Sequence, residues 1–170
     1  MKMLKLGLVI AAIVSSVSTA MVIASRAAED DQNVSPIFGV TIPEDYRQWT
    51  LIAPALEEAP LNELRVVLGN ATAVEAYQKR TLPFPDGAVL VKLAWKRVQS
   101  PEFGPASIPG AATTVQVMVK DSKKFSTTGG WGFGRFIGGK PTDEVQHQTC
   151  FACHEARVKA HDFVFTQFAP

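Results

Sequence analysis

Strict alternation of apolar and polar residues is clearest in the middle of the chain. From Ala88 to Val98, Val89, Val91, Leu93 and Trp95 fall on one side and Leu90, Lys92, Ala94 and Lys96 on the other, which predicts a strand. Thr113 to Lys120 repeats the pattern, with Val115, Val117 and Val119 opposite Gln116 and Met118. Asp121-Ser122 then opens a turn. Gly129 to Phe136 reads as a third strand thinned by glycines. Glycine inside a strand marks either a twisted edge or the close approach of another body, here a flat cofactor lying on the backbone. Leu61 to Leu68 suits helix or strand, and its β-branched end before Gly69-Asn70 favours strand. Ala71 to Arg80 is rich in helix formers. Pro43 to Trp49 reads as a short helix, with Thr41 or Ile42 before it and acids in its first turn. Leu82-Pro83-Phe84-Pro85-Asp86-Gly87 is a turn, because proline presets φ and glycine takes the strained position. Ser100 to Gly110 reads as a loop. Asp143 to His161 lacks glycine and proline and predicts a helix that Thr142 caps. The expected architecture is α+β: mainly an antiparallel β-sheet with flanking helices and a chemistry-bearing helix at the C-terminus.

Residues 1–28 break this pattern. Lys2 and Lys5 precede an apolar run from Leu6 to Ala24, and small residues follow through Ala27 and Ala28. This is the layout of a secretory signal peptide. An uncleaved anchor is the competing reading, because the run is just long enough to span a bilayer. Ser15, Ser16, Ser18 and the small-residue exit favour cleavage, after Ala20, Ala24, Ala27 or Ala28. The remainder, 29–170, is expected to form a single domain with a loose arm over 29–42. Cleavage removes Lys2, Lys5 and Arg26 and no acid, so a balance of 17 bases and 16 acids turns slightly acidic. A basic face for nucleic acid is therefore not expected. Met1, Met3 and Met21 also leave, so Met118 is the sole remaining methionine.

Both cysteines of the chain lie in Cys150-Phe151-Ala152-Cys153-His154. C-x-x-C-H is the attachment sequence of c-type haem. Two thiols one helical turn apart reach both vinyl groups of a single porphyrin, and the adjacent histidine supplies a nitrogen to the iron. A thioredoxin-like pair uses the same spacing but belongs after a strand in a βαβ unit, which is missing here. A zinc site needs further ligands, and His147 and His161 form no familiar pattern with the motif. A short-range disulfide would add little stability. Electron-transfer cytochromes commonly use methionine as the second axial ligand, yet none follows Cys153 and Met118 lies mid-strand. His147 and His161 each lie seven residues from His154 on the same helix. They read as solvated helix residues rather than ligands. An iron with one open position follows from this, able to bind small molecules or do redox chemistry on them.

A C-terminal haem motif after an antiparallel sheet, together with Tyr46-Arg47-Gln48-Trp49, Leu68-Gly69-Asn70, Leu82 to Gly87, Val119-Lys120-Asp121 and Gly130-Trp131-Gly132, resembles the cytochrome P-460 family and its relatives, the beta-type cytochromes c′. The resemblance covers roughly residues 40–165. It implies a periplasmic, mainly β, homodimeric protein with one haem c. P-460 members oxidise hydroxylamine, with nitric oxide chemistry alongside, and pass electrons to a partner cytochrome. Their haem carries an additional covalent bond from a lysine; beta-type cytochromes c′ lack it and bind nitric oxide in an apolar pocket. Lys92 matches that lysine by position, with Lys96 second; a snorkelling edge residue is the blander reading of Lys92. Family members that turn over substrate are expected to carry a carboxylate beside the open iron position. Gln116 stands where it is sought, and an amide cannot act as a general base near neutral pH. Arg135 is the other polar candidate, with a surface salt bridge as its alternative. The expected catalytic set is thus Lys92, Gln116 and Arg135. Cys150, Cys153, His154 and Lys92 would bind the cofactor, and His154 the iron.

Overall fold

The structure is a computed structural model that describes residues 33–169; the leader expected over 1–28 lies outside the described residues. The alternating segments pair as a simple antiparallel meander in which every strand lies beside its neighbours in sequence, β1 to β6. These are β1 (Thr50–Glu57), β2 (Glu63–Gly69), β3 (Val89–Gln99), β4 (Ser107–Lys120), β5 (Trp131–Ile137) and the two-residue β6 (Lys140–Pro141). One helix, α1 (Ala71–Lys79), separates β2 from β3, and a second, α2 (Glu144–Val158), follows the sheet. The molecule is α+β, as the patterning implies.

Pairing residues in an antiparallel sheet project to the same side, so the register sorts the side chains into two faces. On one, Val91, Leu93, Val117 and Phe136 are buried, with Val40 packed against Gly134. The other carries Leu90, Lys92, Met118, Gln116, Phe133 and Arg135. The glycines of β5 belong to the first face. A Cβ on Gly132 would collide with the Phe125 ring, and one on Gly134 with the Phe136 ring and Val40. The close approach that those glycines announce is therefore made by the protein's own side chains, not by a flat cofactor.

Several boundaries differ from the sequence expectation. Thr50–Glu57 is a strand although Pro54 interrupts it. It is the edge strand, where a missing N–H is tolerated. β4 begins at Ser107, inside the stretch expected to be loop, because Ser107 to Pro109 pair with Gln99 to Arg97. Register irregularities at Ala94/Trp95 and Trp95/Arg97 separate this outer part of the hairpin from the inner part. The short helix over 43–49 contracts to a 3₁₀ turn, Tyr46–Gln48, whose N-cap Asp45 makes no side-chain hydrogen bond.

Side-chain caps explain where the two α-helices start. Asn70 Oδ1 accepts from Ala73 N–H and Val89 N–H, both at 3.0 Å, and Asn70 Nδ2 donates to Gly87 O at 2.8 Å. One side chain thus starts α1 and fixes the entry to β3. For α2 the cap is Asp143, not Thr142: Asp143 Oδ1 accepts from Gln146 N–H at 2.8 Å. Thr142 instead donates its backbone N–H to Arg135 O at 2.9 Å, tying the helix entry to β5. The helix closes at Val158 and passes into a 3₁₀ turn, Lys159–His161.

Candidate functional site

The helix opened by Asp143 carries Cys150 and Cys153 one turn apart, with His154 directly after the second. Both thiols are free; Cys150 is half-buried and Cys153 exposed. Burial raises the Cys150 thiol above its ordinary pKa, and the positive charge of Arg135 opposes that shift. His154 Nδ1 lies 2.7 Å from the Phe163 carbonyl oxygen. A carbonyl only accepts, so Nδ1 carries the proton and donates it, leaving the Nε2 lone pair available. The imidazole packs against Phe133, with centroids 5.0 Å apart, and meets Phe165 edge-on at 4.9 Å. Burial depresses its pKa, the Phe163 carbonyl opposes this, and the Lys92 charge adds to the depression. The ring is therefore neutral near pH 7.

This donor set fits haem. Two uncrosslinked thiols lie one turn apart, and the neighbouring imidazole is neutral with its outer nitrogen tied to a backbone carbonyl, the usual arrangement of an iron-binding histidine. Zinc lacks comparable support: among the described residues no group of three or more His, Cys, Asp or Glu side chains is placed to hold a metal ion.

The three polar candidates from separate strands fall into one row. Lys92 on β3 pairs with Gln116 on β4, and Gln116 with Arg135 on β5. Phe133, two residues from Arg135 on the same face, touches Phe151 and His154, so α2 packs against the face that carries this row. Gln116 Nε2 donates to Thr114 Oγ1 at 3.1 Å. Lys92 is no snorkelling edge residue. Its side chain is 18% exposed, and Nζ lies 2.9 and 2.8 Å from the two carboxylate oxygens of Glu57. Arg65 Nε reaches the same carboxylate at 3.3 Å, as an ion pair without hydrogen-bond geometry. Lys96 lies farther along β3, half-exposed, bonded to Leu61 O and paired with Glu63.

His147 is not a solvated helix residue. It is fully buried: Nε2 accepts from Arg135 N–H at 3.1 Å, and Nδ1 donates to Asp143 O at 2.8 Å. Both ring nitrogens are committed to the backbone, which pins α2 onto β5. His161 is exposed, as expected, and lines a groove of about 930 Å³ between α1 and the C-terminal segment, which Phe165 also borders.

Glu57, Arg65 and Phe163 were not identified from the sequence. Arg65 is signalled weakly, since alternation along β2 puts Glu63, Arg65 and Val67 on one side. Glu57 sits behind Pro54 in a strand that composition conceals. The role of Phe163 belongs to its carbonyl, which side-chain patterning does not register.

The family model described as Cytochrome P460 matches residues 43–166. That span contains every strand, both helices and all the site residues above. Comparison with the curated proteins found no match.

Proposed function

The chain belongs to the cytochrome P460 family, and from that premise we propose that it is an exported mono-haem c-type cytochrome that oxidises hydroxylamine. The family implies a haem cofactor. When bound, haem supplies an iron that takes a small nitrogen ligand and relays its electrons. Cys150 and Cys153 would hold it through thioethers, and His154 Nε2 would ligate the iron, with Nδ1–H held by Phe163 O.

The observation that carries the reading is the row of Lys92, Gln116 and Arg135 on the face packed by the cysteine-bearing helix, with the Glu57 carboxylate bound to its lysine end. Oxidation of hydroxylamine removes protons as well as electrons, so a proton acceptor is needed. Gln116 cannot serve. Glu57 is an acceptor in the same cluster, and its contact with Lys92 keeps it from drifting into solvent. Arg135 and Gln116 would orient the ligand, and Lys92 would bond covalently to the macrocycle. Electrons would pass to a partner cytochrome; the periplasm and a homodimer complete the reading.

The test is the spectrum of the reduced holoprotein together with turnover. A strongly red-shifted Soret band and hydroxylamine-dependent reduction of an acceptor are expected. Lys92→Ala should restore an ordinary c-type spectrum; survival of the shifted band would exclude Lys92 as the linking residue. Gln116 favours a second reading, a non-catalytic nitric oxide-binding protein of the beta-type cytochrome c′ kind. An ordinary c-type Soret band, nitric oxide binding and no turnover would select it.

A further inference from the structure

The segment that follows α2 is held in an unusual backbone conformation. Asp162 and Phe163 have φ of 50° and 64°, two successive non-glycine residues in the left-handed region, which is uncommon for any L-residue and more so for a bulky one. The surroundings enforce it. Lys120 Nζ lies 2.9 Å from each Asp162 carboxylate oxygen and 3.0 Å from Gly129 O. The two side chains are 5% and 9% exposed. Phe84 N–H donates to Asp162 Oδ2 at 2.8 Å, and Phe163 N–H to Val158 O at 3.0 Å. A Cβ at Gly129 would occupy the space of the Phe163 ring. Within this clamp, the Phe163 carbonyl is the group that reaches the site, 2.7 Å from His154 Nδ1.

A buried ion pair is weak evidence for stability, because desolvation offsets much of the attraction. Anchoring the C-terminal segment would be met as well by an apolar pair of similar volume. What the charges add is direction: they fix the turn at Asp162 and so the aim of the carbonyl one residue on. We propose that the Lys120–Asp162 ion pair is a positioning element for the His154 imidazole, setting the strength of the His154 Nδ1–H···O=C Phe163 hydrogen bond and, through it, the electron donation that Nε2 would make to a bound iron. The inference rests on the reading of His154 as the iron ligand. A stronger bond to Nδ1–H makes Nε2 a better donor and favours ferric iron. Loosening the clamp weakens that donation and raises the reduction potential.

The experiment uses the haem-loaded full chain. It reads the iron–histidine stretching band of the ferrous form by resonance Raman, and the reduction potential by redox titration. Asp162→Asn should lower the band and raise the potential while haem content and far-ultraviolet circular dichroism stay as in the wild type. Asp162→Glu keeps the charge but lengthens the arm, and should shift both in the same directions by less. Lys159→Ala removes an exposed pair with Glu155 and should shift neither. Wild-type band and potential in folded Asp162→Asn would overturn the proposal; if that variant does not accumulate, the same result in Asp162→Glu would do so. Absence of an iron–histidine band in the wild type would instead overturn the assignment of His154, and this inference with it.

Discussion

At Glu57 one carboxylate serves two cations. Lys92 holds both of its oxygens and Arg65 approaches one, all three side chains being 18–24% exposed. Glu57→Gln keeps the shape and removes the counter-charge. Such partly screened pairs fall between surface bridges and fully buried ones, so the substitution is expected to cost about 1–3 kcal/mol in denaturant unfolding. In the haem-free protein it should also release Lys92, freed from its carboxylate partner, to amine-labelling reagents. His147 makes a contrasting case. His147→Ala leaves Arg135 N–H unsatisfied beside a new cavity, at a cost of about 2–4 kcal/mol. The haem spectrum should keep its ligation pattern, because neither nitrogen is free to bind iron; a change in spin state would contradict the assignment. The C-x-x-C-H residues could be picked out by type and spacing, whereas Lys92, Gln116 and Arg135 were reached only through the family resemblance. The burial of His147 could not, since it depends on a backbone N–H from β5 that no helical periodicity reveals.

At the scale of elements, hydrophobic alternation made β3, the inner half of β4 and β5 legible, and composition did the same for α1 and α2. The misses share a cause. Pro54 masks β1, Pro109 and Gly110 mask the start of β4, and β6 is two residues long; in each, a strand is defined by its partner rather than by its own residues. Tyr77 shows the same dependence on distant chain. Its hydroxyl donates from α1 to Thr166 O at 3.0 Å, and burial raises its pKa well above the ordinary value. Above the ordinary phenol pKa of about 10 the unfolded chain releases this proton while the folded one retains it, so stability should fall as pH rises through that range. Tyr77→Phe should lose about 1 kcal/mol at neutral pH and show a shallower alkaline decline. Urea midpoints between neutral pH and about pH 11 would report both effects.

Over the whole molecule the apolar core occupies both faces of the sheet, and one of them also carries the polar row. Val91, Val117 and Phe136 lie on one, and the polar row on the other. A protein deprived of its attachment points should accordingly keep its sheet. Cys150→Ser with Cys153→Ser and Lys92→Ala, which removes every proposed covalent link, is expected to retain β-type circular dichroism while haem is lost on acid–acetone extraction; collapse of the spectrum would mean that the cofactor, not the apolar core, holds the strands together. The row itself depends on register. A one-residue slip of β4 along β3 would turn Gln116 to the opposite face and separate Lys92 from Arg135. The irregularities at Ala94/Trp95 and Trp95/Arg97 fall between this row and the exposed tip around Glu102, Phe103 and Gly104. They act as a slack coupling: changes of length at the tip are absorbed before they reach the row, which makes that loop the place where a tag or a foreign segment can be grafted without rotating a single site residue.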